Sequence, residues 1–398
     1  MGKVYKVAII GGGFSGLICA EKLSSRFGGE NVLVLERNDR IGKKILATGN
    51  GRGNLSNVNI SAKNYHSLTP SDVSFAIEKY GNKSIIDYFK GLGVDVSVED
   101  DKIYPSSFQA NSILDMLRFK LEYLKTDVRV GHRVESVKLN GQAYKIVANG
   151  QSFLANKVIF ACGGKAGKQY GTDGSAYSLL QSLGHTVTPL YPSLVQVKTD
   201  IQKIKGLKGL KSQAVATLLV DGKEVKSFDG DVLFTDYGVS GNAIFYLSAY
   251  IPQNKKCKIS LAFLPDKAEE DIAEFLKSKF IHVSYLGLED ALTGVINKQI
   301  GKAIIKNCGE VSLDDDGATK IAREVKNFTL DVVGTLNFDY AQVTKGGIPF
   351  NEIKPTTMES KKSKGVYVVG EMLDVDGDCG GYNLQWAYSS ASVACDGV

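Results

Sequence analysis

The stretch that most restricts the fold of this chain lies at its start. Residues Val4 to Ile10 read VYKVAII, a run of β-branched and apolar residues with the character of a fully buried parallel strand. It breaks into Gly11-Gly12-Gly13-Phe14-Ser15-Gly16, and a helical pattern continues through Leu17, Ala20 and Leu23. A second apolar run, Val32-Leu33-Val34-Leu35, ends in Glu36, 20 residues beyond Gly16. Strand, glycine turn, helix, strand and acid in this order make a βαβ dinucleotide fingerprint. Gly11 allows the tight turn off the strand, Gly13 lets backbone approach a pyrophosphate, and Gly16 lets helix and strand pack closely. The helix that follows points its free N–H groups and positive dipole end at that pyrophosphate. Glu36 can accept hydrogen bonds from a ribose diol, and its charge disfavours a 2′-phosphate. NAD and FAD both satisfy this motif.

A chain of 398 residues exceeds one comfortable core, so two or three domains are expected. Acids and bases are interspersed and the net charge is only +5, which argues against a dedicated nucleic-acid surface. The four histidines are scattered, and a histidine-rich metal site is not expected. Six cysteines lie far apart with no CxxC pair, the usage of a reduced, cytoplasmic protein. No apolar run is long enough to span a bilayer.

Beyond Glu36, residues 37–57 form a glycine-, amide- and base-rich loop able to present Arg37, Lys44 and backbone N–H groups to a phosphate or a flavin edge. Residues 69–124 read as helices with short extended pieces. Thr69-Pro70 is a helix-start signal, Gly91-Leu92-Gly93 a stop, and Leu114, Leu117, Leu121 and Leu124 a core-facing stripe. Tyr104 suits either a substrate pocket or a packed core. Extended runs at Val128–Val137, Tyr144–Ala148 and Ser152–Ala161 are joined by Asn140-Gly141 and Asn149-Gly150, hairpin signals that predict a β-meander. The last run enters Ala161-Cys162-Gly163-Gly164. Cys162 reads as a small buried residue, not a nucleophile.

From about Thr188 to Val343 the character changes. Strand-like runs at Leu194–Thr199, Ala214–Val220, Val232–Phe234 and Cys257–Ala262 predict a barrel or sandwich. A helical section follows, with Leu276, Phe280, Leu286, Leu292, Ile296, Ile300, Ile304 and Ile305 as its apolar stripe. Lys203 to Lys211 is a local basic cluster, either a solvated turn or a site for an anionic ligand. Near the end, Gly365-Val366-Tyr367-Val368-Val369-Gly370-Glu371 is a buried strand ending in glycine and acid. A second glycine pair, Gly380-Gly381, then precedes a helix expected to open at Leu384-Gln385-Trp386. Such a returning element suits FAD: Glu371 can take ribityl hydroxyls, and the helix N-terminus can face the flavin pyrimidine edge, where reduced flavin gathers negative charge.

Two segments, GKKILATGNGRGNLSN and GEMLDVDGDCGGYNLQWAYSS, are similar to hallmarks of the aminoacetone-oxidase-like flavoprotein family, which includes the bile-acid-inducible N-type flavoproteins. That family usually has Cys at the position of Gly53. KIYPSS, FTDYGVSG and VTKGGI resemble further family segments, the last placing Lys345 toward a reduced flavin. The resemblance implies an α/β fold: a Rossmann-like FAD-binding domain of the glutathione-reductase type with a β-meander, interrupted by an inserted β-barrel plus helical domain. The expected boundaries are 1–187 and 344–398 for the FAD domain and 188–343 for the insert (barrel 188–264, helical part 265–327, return strands 328–343). It implies non-covalent FAD contacts at Gly11, Gly13, Phe14, Ser15, Gly16, Glu36, Arg37, Lys44, Asn54, Val134, Ala161, Cys162, Gly163, Gly370, Glu371, Gly381, Asn383, Leu384 and Gln385. Arg52, Asn54 and Tyr382 are the candidate catalytic polar groups.

The implied function is hydride transfer through flavin N5 for a small-molecule substrate, by either an NAD(P)H-linked flavin reductase or an amine oxidase. NAD(P)H would act as a transient donor entering the substrate cleft. A flavin-binding sensor or tRNA-associated scaffold is the alternative, and an NAD-dependent dehydrogenase a lesser one.

Overall fold

The computed structural model describes residues 3–252, 254–283 and 285–398. The chain divides into two compact units, Met1–Pro192 with Ala341–Val398, and Ser193–Tyr340.

The first unit is built on the strand β1 (Val4–Ile10), the helix α1 (Phe14–Phe27) and the strand β2 (Val32–Leu35). Val7 to Ile10 and all of β2 are buried, as an apolar run without alternation requires of a strand covered on both faces. β1 is central, parallel to β2 on one side and to Gln151–Phe160 on the other. The strand Gln151–Phe160 changes partners along its length. Its first half pairs antiparallel with Ala143–Ala148, and its end pairs parallel with Val366–Val368, which returns from the far end of the chain.

The meander is present, with one correction. The expected run Val128–Val137 is two strands: Asp127–Arg129 pairs parallel with β2, and Val134–Asn140 pairs antiparallel with Ala143–Ala148. Gly131, at φ +69, bends the chain between them. The turns at Asn140-Gly141 and Asn149-Gly150 stand where expected. Leu114, Leu117 and Leu121 are buried on the helix Ala110–Tyr123, while Leu124 lies past its end and is half-buried. Thr69-Pro70 does not start a helix: the next helix is Ser74–Lys79, and the Thr69 hydroxyl instead donates to Asp374 at 2.7 Å. A carboxylate 305 positions away competes for the capping group, and local signals cannot show it.

The second unit contains a closed barrel of six antiparallel strands, ordered Val197–Thr199, Gly238–Ser240, Lys223–Phe234, Lys211–Val220, Cys257–Ala262 and Phe328–Thr335. The segment expected only as return strands therefore completes the barrel: Phe328–Thr335 pairs with Cys257–Ala262 and with Val197–Thr199. Closure removes the exposed edges an open sheet would leave. Helices Glu269–His282, Lys298–Asn307 and Asp315–Lys326 lie between the last two strands in sequence. Leu276, Ile300, Ile304 and Ile305 are buried on helices as expected, whereas Leu286, Leu292 and Ile296 lie in the connection between helices.

Candidate functional site

Each glycine at the end of β1 has its own steric reason. A Cβ on Gly11, at φ +104, would meet the Ala161 carbonyl oxygen at 2.5 Å, and one on Gly16 would meet the Gly11 carbonyl oxygen at 2.0 Å. Protein packing alone demands these two. Gly12 is also constrained, since its Cβ would lie 2.7 Å from Ile41. Gly13 differs: its Cβ would touch nothing closer than the Ala161 oxygen at 4.0 Å. The space over Gly13 is open at the start of α1, where no side chain caps the helix and no acid occupies the first turn. An open cradle above the amides of Phe14, Ser15 and Gly16 fits the pyrophosphate of FAD.

Glu36 is 7% exposed, and its carboxylate accepts from Gly12 N and Asn38 N, both at 2.8 Å. Each oxygen takes one amide and keeps a lone pair for a ribose hydroxyl. Arg37 is bonded to Asp173 at 2.7 Å and Ser175 at 3.3 Å. Burial raises the Asp173 pKa, but hydrogen bonds from Ser175 and Arg37 outweigh it and hold the carboxyl at about 2. Ala161 is buried beside Gly11. The Cys162 thiol donates to Ile10 O at 3.2 Å, and burial, with the Glu36 charge, pushes its pKa to about 12, an inert thiol. Gly163 turns at φ +72, and Val134 begins the first meander strand, half-buried.

Lys44, from the glycine-rich loop, reaches Glu371 at 2.6 Å and the Ala166 carbonyl at 3.1 Å. The other Glu371 oxygen accepts from Thr344 N at 2.9 Å. Thr344 in turn accepts from the amides of Lys165 and Ala166, at 2.7 and 2.8 Å. The acid after the returning strand is thus anchored by a loop lysine and by the backbone next to Lys345. Gly370, at φ +67, lies against Ser15 and donates its N–H to Ser390 at 2.9 Å.

The last helix, Tyr382–Gly397, starts at Gly381 in the left-handed region (φ +102), where a Cβ would meet the Ser56 carbonyl at 2.3 Å. With its amide oriented to satisfy both ends, Asn54 accepts from Gly381 N at 3.0 Å and donates to Ser56 O at 2.9 Å and Ile103 O at 3.3 Å. Asn54 therefore couples the glycine-rich loop to the helix start. The side chains of Asn383 and Gln385 are occupied within the protein, which narrows the expectation for them. Asn383 bridges Gly377 N and O, at 2.9 and 2.8 Å. Gln385, fully buried, accepts from Ser56 and donates to Tyr80 O and Ser389. What these residues can offer a flavin is backbone, from the first turn that also contains Leu384.

Arg52 forms a bidentate pair with Glu99, at 2.9 and 2.7 Å, and its guanidinium lies over the rings of Tyr104 and Phe108, 4.4 and 4.5 Å from their centroids. Tyr382 is buried, and its carbonyl accepts from the Tyr65 hydroxyl at 3.1 Å. The sequence reading missed the pairing of Tyr65–His66 with Asp376–Gly377. It brings His66 Nε2 within 2.8 Å of Asp378, a buried carboxylate also held by Asn64. A two-residue strand has too little pattern to announce itself.

The family described as HI0933-like protein Rossmann domain matches residues 5–397. The chain is 37% identical over 401 residues to a 3-dehydro-bile acid delta(4,6)-reductase of Clostridium scindens, covering 98% of each. It is 30% identical over 404 residues to a ribosomal RNA dihydrouridine synthase of Haemophilus influenzae and 28% over 397 residues to that of Escherichia coli, covering 97% of this chain and 96% of each relative. Among solved structures it is similar to a 3-ketosteroid-delta4-(5alpha)-dehydrogenase of Rhodococcus jostii, with TM-score 0.49 and 14% identity over 99% of this chain and 96% of that one. With its glycine cradle, anchored acids and returning strand, the chain belongs to the HI0933-like Rossmann family and is an FAD-dependent oxidoreductase.

Proposed function

We propose that this protein uses NAD(P)H to reduce a carbon–carbon double bond conjugated with a carbonyl in a small polycyclic ketone. The observation that carries this reading is the 37% identity to a bile acid delta(4,6)-reductase along 98% of both chains. The double bonds at positions 4 and 6 of a 3-oxo steroid are conjugated with the ketone. The saturated bond of dihydrouridine likewise lies next to a carbonyl in uridine, so the printed activities of both kinds of relative share one chemistry. This favours the reductase arm over amine oxidation.

Bound FAD supplies hydride at N5. The α1 amides would hold the pyrophosphate, Glu36 a ribose, and Glu371, kept in place by Lys44 and Thr344 N, the ribityl chain. The first turn of the last helix would set its positive end against the pyrimidine edge, where charge accumulates on reduction. Asn54 fixes the Gly381 amide and so the angle of that turn.

RNA reduction is the second reading, favoured by the dihydrouridine synthase relatives. The basic cluster gives it little support: Lys208 and Lys211 are paired with Asp236 and Asp231, and Lys203 with the Thr329 carbonyl. No described helix is long and apolar enough to cross a membrane, and all six cysteines are free, which supports a reducing, cytoplasmic setting.

The test is anaerobic. Purified holoprotein is bleached with NADH or NADPH and then mixed with a 3-oxo-Δ4,6 steroid, with ribosomal RNA transcript, or with buffer. Return of the yellow band with the steroid, and a product heavier by two hydrogens, is expected. Recovery with RNA alone would move the assignment to the second reading. Bleaching by amines and not by NAD(P)H would overturn both.

A further inference from the structure

α1 opens after Gly13 and the last helix after Gly381, and neither start has a side-chain cap or an acid in its first turn. Gly370, at φ +67, packs between these two helices. A Cβ there would lie 3.0 Å from Ser15 Oγ and 3.9 Å from the Ala387 Cα. Its N–H donates to Ser390 at 2.9 Å, and its carbonyl accepts from Trp386 Nε1 at 3.2 Å. A single residue thus separates the opening turn of α1, the pyrophosphate cradle, from the second turn of the last helix. The amides of Tyr382, Asn383 and Leu384 open one turn before that contact, and no earlier helical carbonyl is there to pair with them.

Three polar side chains within four residues hold that helix start. Asn54 accepts from Gly381 N at 3.0 Å and donates to Ser56 O at 2.9 Å and Ile103 O at 3.3 Å. The Ser56 hydroxyl donates to Gln385 Oε1 at 2.6 Å, and Asn57 donates to the Gly380 carbonyl at 3.1 Å. The holding segment is itself fixed: Ser56–Asn57 pairs with the strand Lys102–Pro105, and Leu55 N donates to Ile103 O at 2.8 Å. Gly381 adds a steric constraint, because loop and helix start fit together only where no Cβ intrudes on the Ser56 carbonyl. Asn54 is 8% exposed, and both hydrogens of its amide are committed. It has no proton to give a substrate. Its effect passes through the backbone that it holds.

We infer that Asn54 is a positioning residue that sets the reduction potential of bound FAD, by holding the uncapped amides of the last helix against the edge where negative charge gathers on reduction. The assignment rests on that placement of the helix, given above, and on no choice of substrate. A helix N-terminus stabilises negative charge and acts far less on a neutral group. The oxidised ring is neutral and the reduced ring gathers charge, so a well-aimed helix start favours the reduced form. The pyrophosphate carries the same charge in both forms, so the α1 cradle favours neither. A charge well placed at a partly buried helix end shifts an equilibrium by about three- to thirtyfold, which is about 15–45 mV for a two-electron couple.

The test titrates holoprotein anaerobically with dithionite against an indicator dye of known potential, and measures the affinity for oxidised and for reduced FAD. Asn54→Ala should bind oxidised FAD as the wild type does. It should bind reduced FAD about three- to thirtyfold more weakly, with a midpoint potential lower by about 15–45 mV. Gly13→Ala, which acts on the pyrophosphate, should weaken both forms equally and leave the potential unmoved, as the linkage between affinity and reduction requires. Tyr65→Phe removes only the hydroxyl that donates to the Tyr382 carbonyl at 3.1 Å, and should lower the potential in the same direction. An unchanged potential in Asn54→Ala, or in Tyr65→Phe where the former does not fold, would overturn the assignment. So would equal weakening of both redox forms by Asn54→Ala. Gly381→Ala, whose methyl drives the helix start off the Ser56 carbonyl, separates two failures. If it lowers the potential and Asn54→Ala does not, only the Asn54 assignment is wrong. If neither moves it, the last helix does not face the flavin.

Discussion

At the scale of single residues, glycines in one short motif separate into structural and ligand-facing roles. Gly16→Ala places a methyl 2.0 Å from the Gly11 carbonyl oxygen and should destabilise the fold by about 1–3 kcal/mol. Gly13→Ala places the same methyl in open space, at an extended backbone position (φ −80, ψ −172) that alanine adopts freely. Its stability should stay within about 0.5 kcal/mol of wild type. Its FAD affinity should fall at least about tenfold, because a methyl that holds the pyrophosphate off the helix amides weakens binding by a factor of ten for every ~1.4 kcal/mol. Urea melts of the two variants beside flavin titrations check this. If Gly13→Ala bound FAD normally, the open cradle would not be the pyrophosphate site.

At the scale of elements, capping groups distinguish what a local pattern can specify from what it cannot. In the second unit, Asp314 accepts from Gly317 N at 2.8 Å and starts the helix Asp315–Lys326, whose Ile321, Ala322 and Val325 are buried. Asp314→Ala should cost about 1 kcal/mol, read as a lower urea midpoint at unchanged slope, with flavin content intact. Asn297 caps Lys298–Asn307 in the same manner. Both caps act across two or three residues, so sequence spacing announces them. Thr69 is the counterexample. Its hydroxyl, its N–H and the N–H of Leu68 all go to Asp374, so a sound local start signal yields to a distant buried carboxylate.

At the scale of the whole molecule, every residue expected to hold FAD, from Gly11 to Gln385, falls within the unit Met1–Pro192 with Ala341–Val398. Ligand that binds only the folded state stabilises that unit by about 2.7 kcal/mol at a hundredfold excess over Kd. Hydrogen exchange should accordingly slow at β1, β2 and Gln151–Phe160 when FAD is added to protein stripped of it. Unchanged exchange in those strands would mean that the flavin binds elsewhere.

The sequence by itself determined the βαβ start, the meander turns, the buried returning strand and the identity of Glu36 and Glu371 as acids at strand tips. Each follows from hydrophobic period, turn chemistry or steric freedom acting over a few residues, and such forces are written locally. Tertiary structure decided the rest. It made Phe328–Thr335 the closing strand of the barrel, and it divided one extended run at Gly131. It spent the Gln385 side chain on Ser56, Tyr80 and Ser389, and joined His66 to Asp378. These outcomes depend on which polar groups meet after the chain closes on itself, when a buried donor or acceptor must find a partner at any sequence distance.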